Sequence, residues 1–396
     1  MATNVPILSS AAELDQLCQQ IRQTTIFALD TEFVTEHTYT PELSLIQVAT
    51  PDATALIDSL AVEVEPIWEL VADPAVEVVM HGAEAEARFC WMATGRMPQS
   101  LFDVQLAVAF TGDRYPMNYS SLVEAVLGIH MRQNQTRTDW TRRPLAAAQI
   151  SYAAEDVVHL LAVRDEIAIK LDRSSRLAWY IEESQRKLDA IEHDLRNPRW
   201  WRVSGAQGLS RRSLAALREI YFWREDLAER RDLPRKRILR DDLIASAASS
   251  LPTNEDELRR LRGFEKRNAG DVRELLDCLR RARDLPDAEL PESRREARQQ
   301  STARMLALLL EAVLHETCAD QEIDAALVGT ASDLRELLRW HLTGRSPDKL
   351  PDLMQGWRGV VCGDILEAVL AGDVSIAVAD PASRRPLAIE EIAPPD

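Results

Sequence analysis

The chain has 396 residues, 46% of them hydrophobic and 28% charged, a length for two or three domains and a composition that excludes global disorder. No apolar run approaches the ~18 residues of a membrane helix. The first twenty residues lack the basic-then-apolar order of a signal peptide, and the five cysteines form no CxxC pair, so neither a disulfide framework nor a zinc site is indicated. A cytoplasmic protein without a membrane span is expected. The net charge of −17 taken alone argues against nucleic acid. Its distribution says otherwise: residues 1–160 hold 21 acids and 8 bases, whereas residues 196–240 hold 13 bases and 5 acids. Acids can collect metal ions, and a basic surface can follow a phosphate backbone.

In chain order, TTIFALDTE (24–32) reads as a buried strand ending in acids. LSLIQVAT (43–50) and TALID (54–58) are short β-type runs with Pro51 and Asp52 as a turn between them. Three strands in quick succession suggest an antiparallel meander. Helical spacing at 64–72, a strand at 76–80 and a helix at 83–92 follow. This order implies a mixed sheet with helices packed on it. Further helices are expected at 102–110, 120–127 and from 146 to about 171.

From about residue 175 strand signals vanish. Residues 210–231 are amphipathic, with Leu209, Leu214, Leu217, Ile220, Tyr221 and Trp223 supplying an apolar stripe that Pro234 interrupts. Shorter helices are expected at 242–248, 255–261 and 269–282. The polar, proline-punctuated stretch 284–300 reads as a linker, and 301–318, 331–342 and 363–370 as a second helical unit. The proline-containing tail from Asp380 is expected to be loose.

Asp30 and Glu32 sit two apart at the end of the first strand and so point to one face. Paired carboxylates in a partly buried place repel, and a divalent cation removes that penalty; a solvent-exposed strand end would carry them equally well. Tyr152 and Asp156 sit four apart on one helical face beside a buried stripe, a spacing that also suits a surface acid and a packing tyrosine. In HGAEAE (81–86), acids in a first helical turn are already favoured by the helix dipole.

Taken together, Asp30-Thr31-Glu32, an acid five residues after His81, and Tyr152-xxx-Asp156 resemble the three motifs of the DEDD 3′–5′ exonucleases in their tyrosine-bearing branch. ALDTEF (28–33), LSLIQV (43–48), LFDVQLAVAF (101–110), TDWTRRPL (138–145), YAAEDVVHLL (152–161) and LLRWHLTGRSPDKLPDLMQGWRG (337–359) are similar to the ribonuclease D family. One position departs: the family carries Asp where this chain has Glu86. Glutamate keeps the charge and oxygens with one more methylene, and hard cations accept either carboxylate. Asp103 falls in a segment that is not a metal motif and reads as a cap.

The resemblance implies an RNase H-like α/β exonuclease domain (1–175) followed by all-α HRDC-type domains at 205–285 and, more divergent, 300–378. It implies two Mg²⁺ or Mn²⁺ ions, with Asp30 bridging, Glu32 and Asp156 on the ion that binds the nucleophile, and Glu86 on the second ion, directly or through water. Tyr152 would orient the attacking water. The implied activity is release of 5′-mononucleotides from RNA 3′ ends, with tRNA precursors carrying single-stranded 3′ ends as partners and a monomeric enzyme. A DNA exonuclease, or an RNA-binding scaffold weakened by Glu86, are the alternatives. Phe33, Gln47, His81 and Arg142 are candidate RNA contacts near the acids. Arg230, Arg231, Arg235, Lys236 and Arg237, clustered around Pro234, are candidate backbone contacts, whereas Tyr221, Phe222 and Trp223 read as packing residues.

Overall fold

The computed structural model describes residues 5–131, 138–292 and 301–392. The chain divides into two compact units, one of residues 1–31, 45–192 and 299–396, the other of residues 32–44 and 193–298.

The first unit is built on a six-stranded mixed sheet. Its strands are β1 (Ile7–Leu8), β2 (Ile26–Val34), β3 (Glu42–Ala49), β4 (Thr54–Ile57), β5 (Glu77–Met80) and β6 (Leu101–Asp103), in the order β1-β4-β3-β2-β5-β6. β3 and β4 are antiparallel, with Gln47 opposite Leu56, as a meander requires. β1, β5 and β6 pair in parallel with their neighbours. Phe27, Ala28 and Leu29 of β2 are wholly buried, so this strand reads as an apolar run rather than an alternation.

Three helices around this sheet, those beginning at Ala11, Val104 and Tyr119, start where side chains satisfy open backbone N–H groups. A capping box of Ser10 and Glu13 opens α1 (Ala11–Thr24). α2 (Glu65–Val71) and α3 (Glu84–Thr94) follow β4 and β5. The segment 102–110 differs from the expected single helix: Leu101–Asp103 is a strand, and Asp103 then caps α4 (Val104–Val108) by accepting from the Gln105 and Leu106 amides. Asn118 caps α5 (Tyr119–Leu127). α6 (Ala147–Val158) and α7 (Leu160–Arg173) break at His159, and α8 (Leu177–Arg196) follows.

The C-terminal helices are α14 (Ser301–Asp320), α15 (Ala325–Val328), α16 (Ala331–Leu342), α17 (Gly356–Arg358) and α18 (Asp364–Ala371), numbered after the five helices of the other unit. The segment read as a separate 300–378 domain shares one core with the six-stranded sheet and its helices. Ala28, Val79, Phe110, Val157 and Leu160 belong to the same buried cluster as Leu310, Leu337, Trp357 and Leu366. The tail differs from the expected loose end. β7 (Val374–Val378) and β8 (Leu387–Glu391) form an antiparallel hairpin, which buried Glu316 holds by accepting from the Leu387 amide at 3.0 Å. Runs of five residues are too short to outweigh the proline signals around them in a sequence reading.

In the second unit, Ser210 caps α9 (Arg211–Arg230). α10 (Arg235–Ile238), α11 (Asp241–Ser250), α12 (Glu255–Arg260) and α13 (Ala269–Asp284) pack around it through Leu217, Ile220, Trp223, Ile244 and Leu275. Of the expected linker, residues 293–300 lie outside the described residues.

Candidate active site

β2 carries Asp30 and Glu32 on one face by strand alternation, and Thr31 and Phe33 on the other. α6 packs on the sheet through Ala153 and Tyr152, which lie against Leu45 of β3 and Leu56 of β4. Asp156 and Asp30 come near one another beside Tyr119 of α5, whose hydroxyl feels the charge of both. Burial pushes the Asp156 carboxyl up to about 7, and a hydrogen bond from the Tyr152 hydroxyl opposes that rise. The Tyr152 ring packs 6.1 Å from Trp140. Arg143 anchors the Trp140 segment by donating to both oxygens of Asp58, at 2.7 and 2.6 Å.

Glu86 lies in the first turn of α3 and is 6% exposed. It accepts a hydrogen bond from the Thr31 hydroxyl at 2.6 Å, and Thr31 is itself 7% exposed. Burial raises the Glu86 carboxyl above the ordinary range, and the Thr31 hydroxyl partly offsets this. The turn that launches α3 is fixed by Asp103, which accepts from the Gly82 amide at 2.9 Å and the Ala83 amide at 3.2 Å. The reading of Asp103 as a cap thus holds at two elements at once. Gly82, at φ +74°, takes a backbone conformation that favours glycine.

The expected RNA contacts fall in different places. His81 bonds through Nε2 to the Met117 carbonyl at 2.9 Å and sits edge-on to Tyr119, with ring centroids 5.6 Å apart. Burial lowers its pKa, so the ring is neutral at neutral pH and Nε2 is the donor. Gln47 is a correction: it is 0% exposed on β3, which is buried on both faces from Ser44 to Ala49, and cannot touch RNA as the structure stands. Phe33 sits on the strand face opposite Asp30, and Arg142 is exposed. Of the cluster near Pro234, Arg230 pairs with Asp226 at 3.0 Å, Arg231 pairs with Asp271 at 2.6 Å, and Arg235 pairs with Glu225. Arg235 also lies 4.5 Å over the ring of Tyr39, whose amide donates to Asp232. Lys236 and Arg237 are exposed and make no ion pair among the described residues. Trp223 is buried as expected, but Phe222 is 44% exposed.

Sequence reasoning missed Tyr119. Its hydroxyl is buried beside the His159 backbone, and burial, with the charges of Asp156 and Asp30, raises its pKa. The only local signal was the Asn118 cap that begins its helix.

Among the described residues, no three Asp, Glu, His or Cys side chains stand close enough to hold one metal ion. The donors themselves suit a hard divalent cation: all are carboxylate oxygens, and Glu86, buried, and Asp156, half-buried, stand where desolvation disfavours their charged forms.

A mixed sheet whose second strand bears Asp30 and Glu32, with a Tyr-xxx-Asp helix against it, defines a 3′–5′ exonuclease, and residues 5–172 match the 3′–5′ exonuclease family. Residues 213–279 match the HRDC domain, and residues 304–366 match the ribonuclease D C-terminal HRDC domain. The ribonuclease D of Granulibacter bethesdensis is 34% identical over 381 residues, covering 94% of each chain. That of Escherichia coli K12 is 29% identical over 372 residues, covering 93% of this chain and 98% of its own. The crystal structure of Escherichia coli RNase D, an exoribonuclease involved in structured RNA processing, superposes with a TM-score of 0.81 at 28% identity, covering 93% of this chain and 99% of that one. The chain belongs to the ribonuclease D family and is a 3′–5′ exoribonuclease.

Proposed function

We propose that this enzyme trims the single-stranded 3′ ends of structured RNAs, tRNA precursors among them, releasing 5′-mononucleotides as a cytoplasmic monomer. Structured RNA processing is what the Escherichia coli relative does, and the match runs nearly end to end. The family assignment favours this over a DNA exonuclease or a scaffold. No helix among the described residues is long and apolar enough to cross a membrane.

Asp30, Glu32 and Asp156, with Glu86 from the other side of β2, would hold the divalent cations. Such ions acidify a bound water and neutralise charge on the scissile phosphate. Asp30 and Glu32 offer carboxylate oxygens from a strand whose backbone is fixed by its neighbours. Tyr152 donates to Asp156 and so holds that carboxylate in place while its own hydroxyl oxygen can accept from the attacking water. A phenol with an ordinary pKa near ~10 is a poor base at neutral pH, which leaves Tyr152 an orienting role. The observation that carries the reading is the half-buried, tyrosine-bonded Asp156, whose charge and that of Asp30 both reach the Tyr119 hydroxyl.

The test is nucleotide release from a 3′-labelled tRNA precursor with and without Mg²⁺ or Mn²⁺. Asp30→Asn and Asp156→Asn are each expected to slow release by ~10³-fold or more, since each ~1.4 kcal/mol of lost transition-state stabilisation is tenfold. RNA affinity in a filter-binding assay should change little. Near-normal turnover in either variant would remove the assignment.

A further inference from the structure

We infer that Thr31 is a positioning residue for Glu86, and that the pair is matched to the glutamate this chain carries where its relatives' motif has aspartate. The inference rests on Glu86 being a metal ligand.

Thr31 lies between Asp30 and Glu32 on β2 but faces the other side of the sheet. Its hydroxyl donates to Glu86 Oε1 at 2.6 Å, a contact that closes 55 residues of chain and is buried at both ends. The length is at the short end of the O–H···O range, so the hydroxyl holds the carboxyl firmly. Glutamate has one more rotatable bond than aspartate and so loses more freedom when it is held in one orientation. The Thr31 hydroxyl supplies the restraint: it commits Oε1 and leaves Oε2 as the oxygen available to a cation. The Glu86 backbone amide also acts on the carboxylate, and the Thr31 hydroxyl is the side chain that holds it. An aspartate on the same backbone would fall short of Thr31 by about one C–C bond, ~1.5 Å. The hydroxyl and the longer side chain therefore belong together. Thr31 acts on the ion through its ligand, as the outer partners of metal-binding carboxylates do.

The experiment measures Mn²⁺ binding to the full-length protein by isothermal titration calorimetry, in the absence of RNA, for the parent, T31S, T31V, E86D, E86Q and the double variants T31V/E86D and T31V/E86Q. Thermal melts of the metal-free variants accompany it. T31S keeps the hydroxyl and should bind like the parent. T31V should weaken binding of one ion by about 10- to 100-fold, the usual cost of removing an outer partner. E86D should weaken binding as well, despite restoring the family's residue type. T31V should add nothing in the E86D or E86Q background. Parent-like binding by T31V alongside weakened binding by E86Q would overturn the positioning role while leaving Glu86 a ligand. Parent-like binding by E86Q would overturn the ligand reading itself. If T31V proves too unstable to titrate, E86D decides: binding tighter than the parent would show that Thr31 does not favour the longer side chain.

Discussion

Gln47 shows how a side chain can be placed correctly on its strand and misread in its role. LSLIQV is legible as a strand, and Gln47 is a candidate contact because that segment resembles the family's, whatever its place in a strand's alternation. β3 is buried on both faces, however, so alternation carries no information there, and the Gln47 amide has no hydrogen-bond partner at either Nε2 or Oε1. It shares a face with Leu45, opposite Leu56, in the layer covered by Tyr152 and Ala153. A buried amide without partners costs ~1–3 kcal/mol, and an apolar residue of similar shape removes that cost. Gln47→Met should therefore raise the urea midpoint of the metal-free protein, by the equivalent of ~1–2 kcal/mol. A lowered midpoint would mean that the amide is satisfied in solution and that its partner belongs to the site.

At the scale of elements, sequence pattern is most legible where a helix is long and capped. The expected amphipathic stretch 210–231 appears as α9 with Ser210 at its cap. It fails at β6, three residues that continue directly into α4, and at the C-terminal hairpin, whose strands need Glu316 from a distant helix to stay in place. The turn between α9 and α10 teaches the same lesson about charge. Five cations lie close in sequence, but carboxylates take up three of them: Asp226 at helical spacing from Arg230, and Glu225 and Asp271, which sequence spacing does not reveal. The five should therefore behave as two classes. Lys236→Ala with Arg237→Ala should weaken RNA binding and lower the slope of log K against log salt by ~1 per cation removed. Arg231→Ala leaves the buried Asp271 carboxylate with only a distant partner, Arg267 at 4.0 Å, and should destabilise the fold by ~2 kcal/mol with little change in salt slope. Equal salt slopes for both variants would show that the ion pairs open readily and that all five cations face RNA.

At the scale of the molecule, the catalytic sheet and the C-terminal helices stand or fall together, because one core runs through both and one buried ion pair bridges them. Glu183 of α8, 1% exposed, accepts from Arg358 of α17 at 2.5 Å and from Arg186 at 2.8 Å. Arg358 spends its remaining donors on the Val328 and Leu327 carbonyls. Burial alone would raise the Glu183 carboxyl, but the hydrogen bonds and charges of Arg358 and Arg186 outweigh it and hold the pKa at about 2. A carboxyl depressed from ~4.3 to that value contributes ~3 kcal/mol, at ~1.4 kcal/mol per pKa unit. The contribution is complete above the unfolded value near ~4.3 and disappears as pH falls towards 2, where native Glu183 also takes up a proton. Glu183→Gln removes the titration and leaves Arg358 buried against a neutral amide, which should cost ~3–5 kcal/mol at pH 7. Protonated glutamate and glutamine are close mimics, so the stability gap between parent and variant should shrink steadily from pH 5 to pH 2.5. Urea denaturation of the metal-free proteins across that range, followed by far-ultraviolet circular dichroism and by tryptophan fluorescence, tests both claims. Trp357 donates to the same carboxylate and stacks near Trp179, so these two of the nine tryptophans carry the bridge into the fluorescence signal, while dichroism reports on the helices. Coincident transitions by the two probes are expected from a shared core. A gap that stays constant with pH would show that Glu183 stabilises by packing alone, and a Glu183→Gln variant whose fluorescence and dichroism midpoints fell by different amounts would show that the bridge does not hold the C-terminal helices to the sheet.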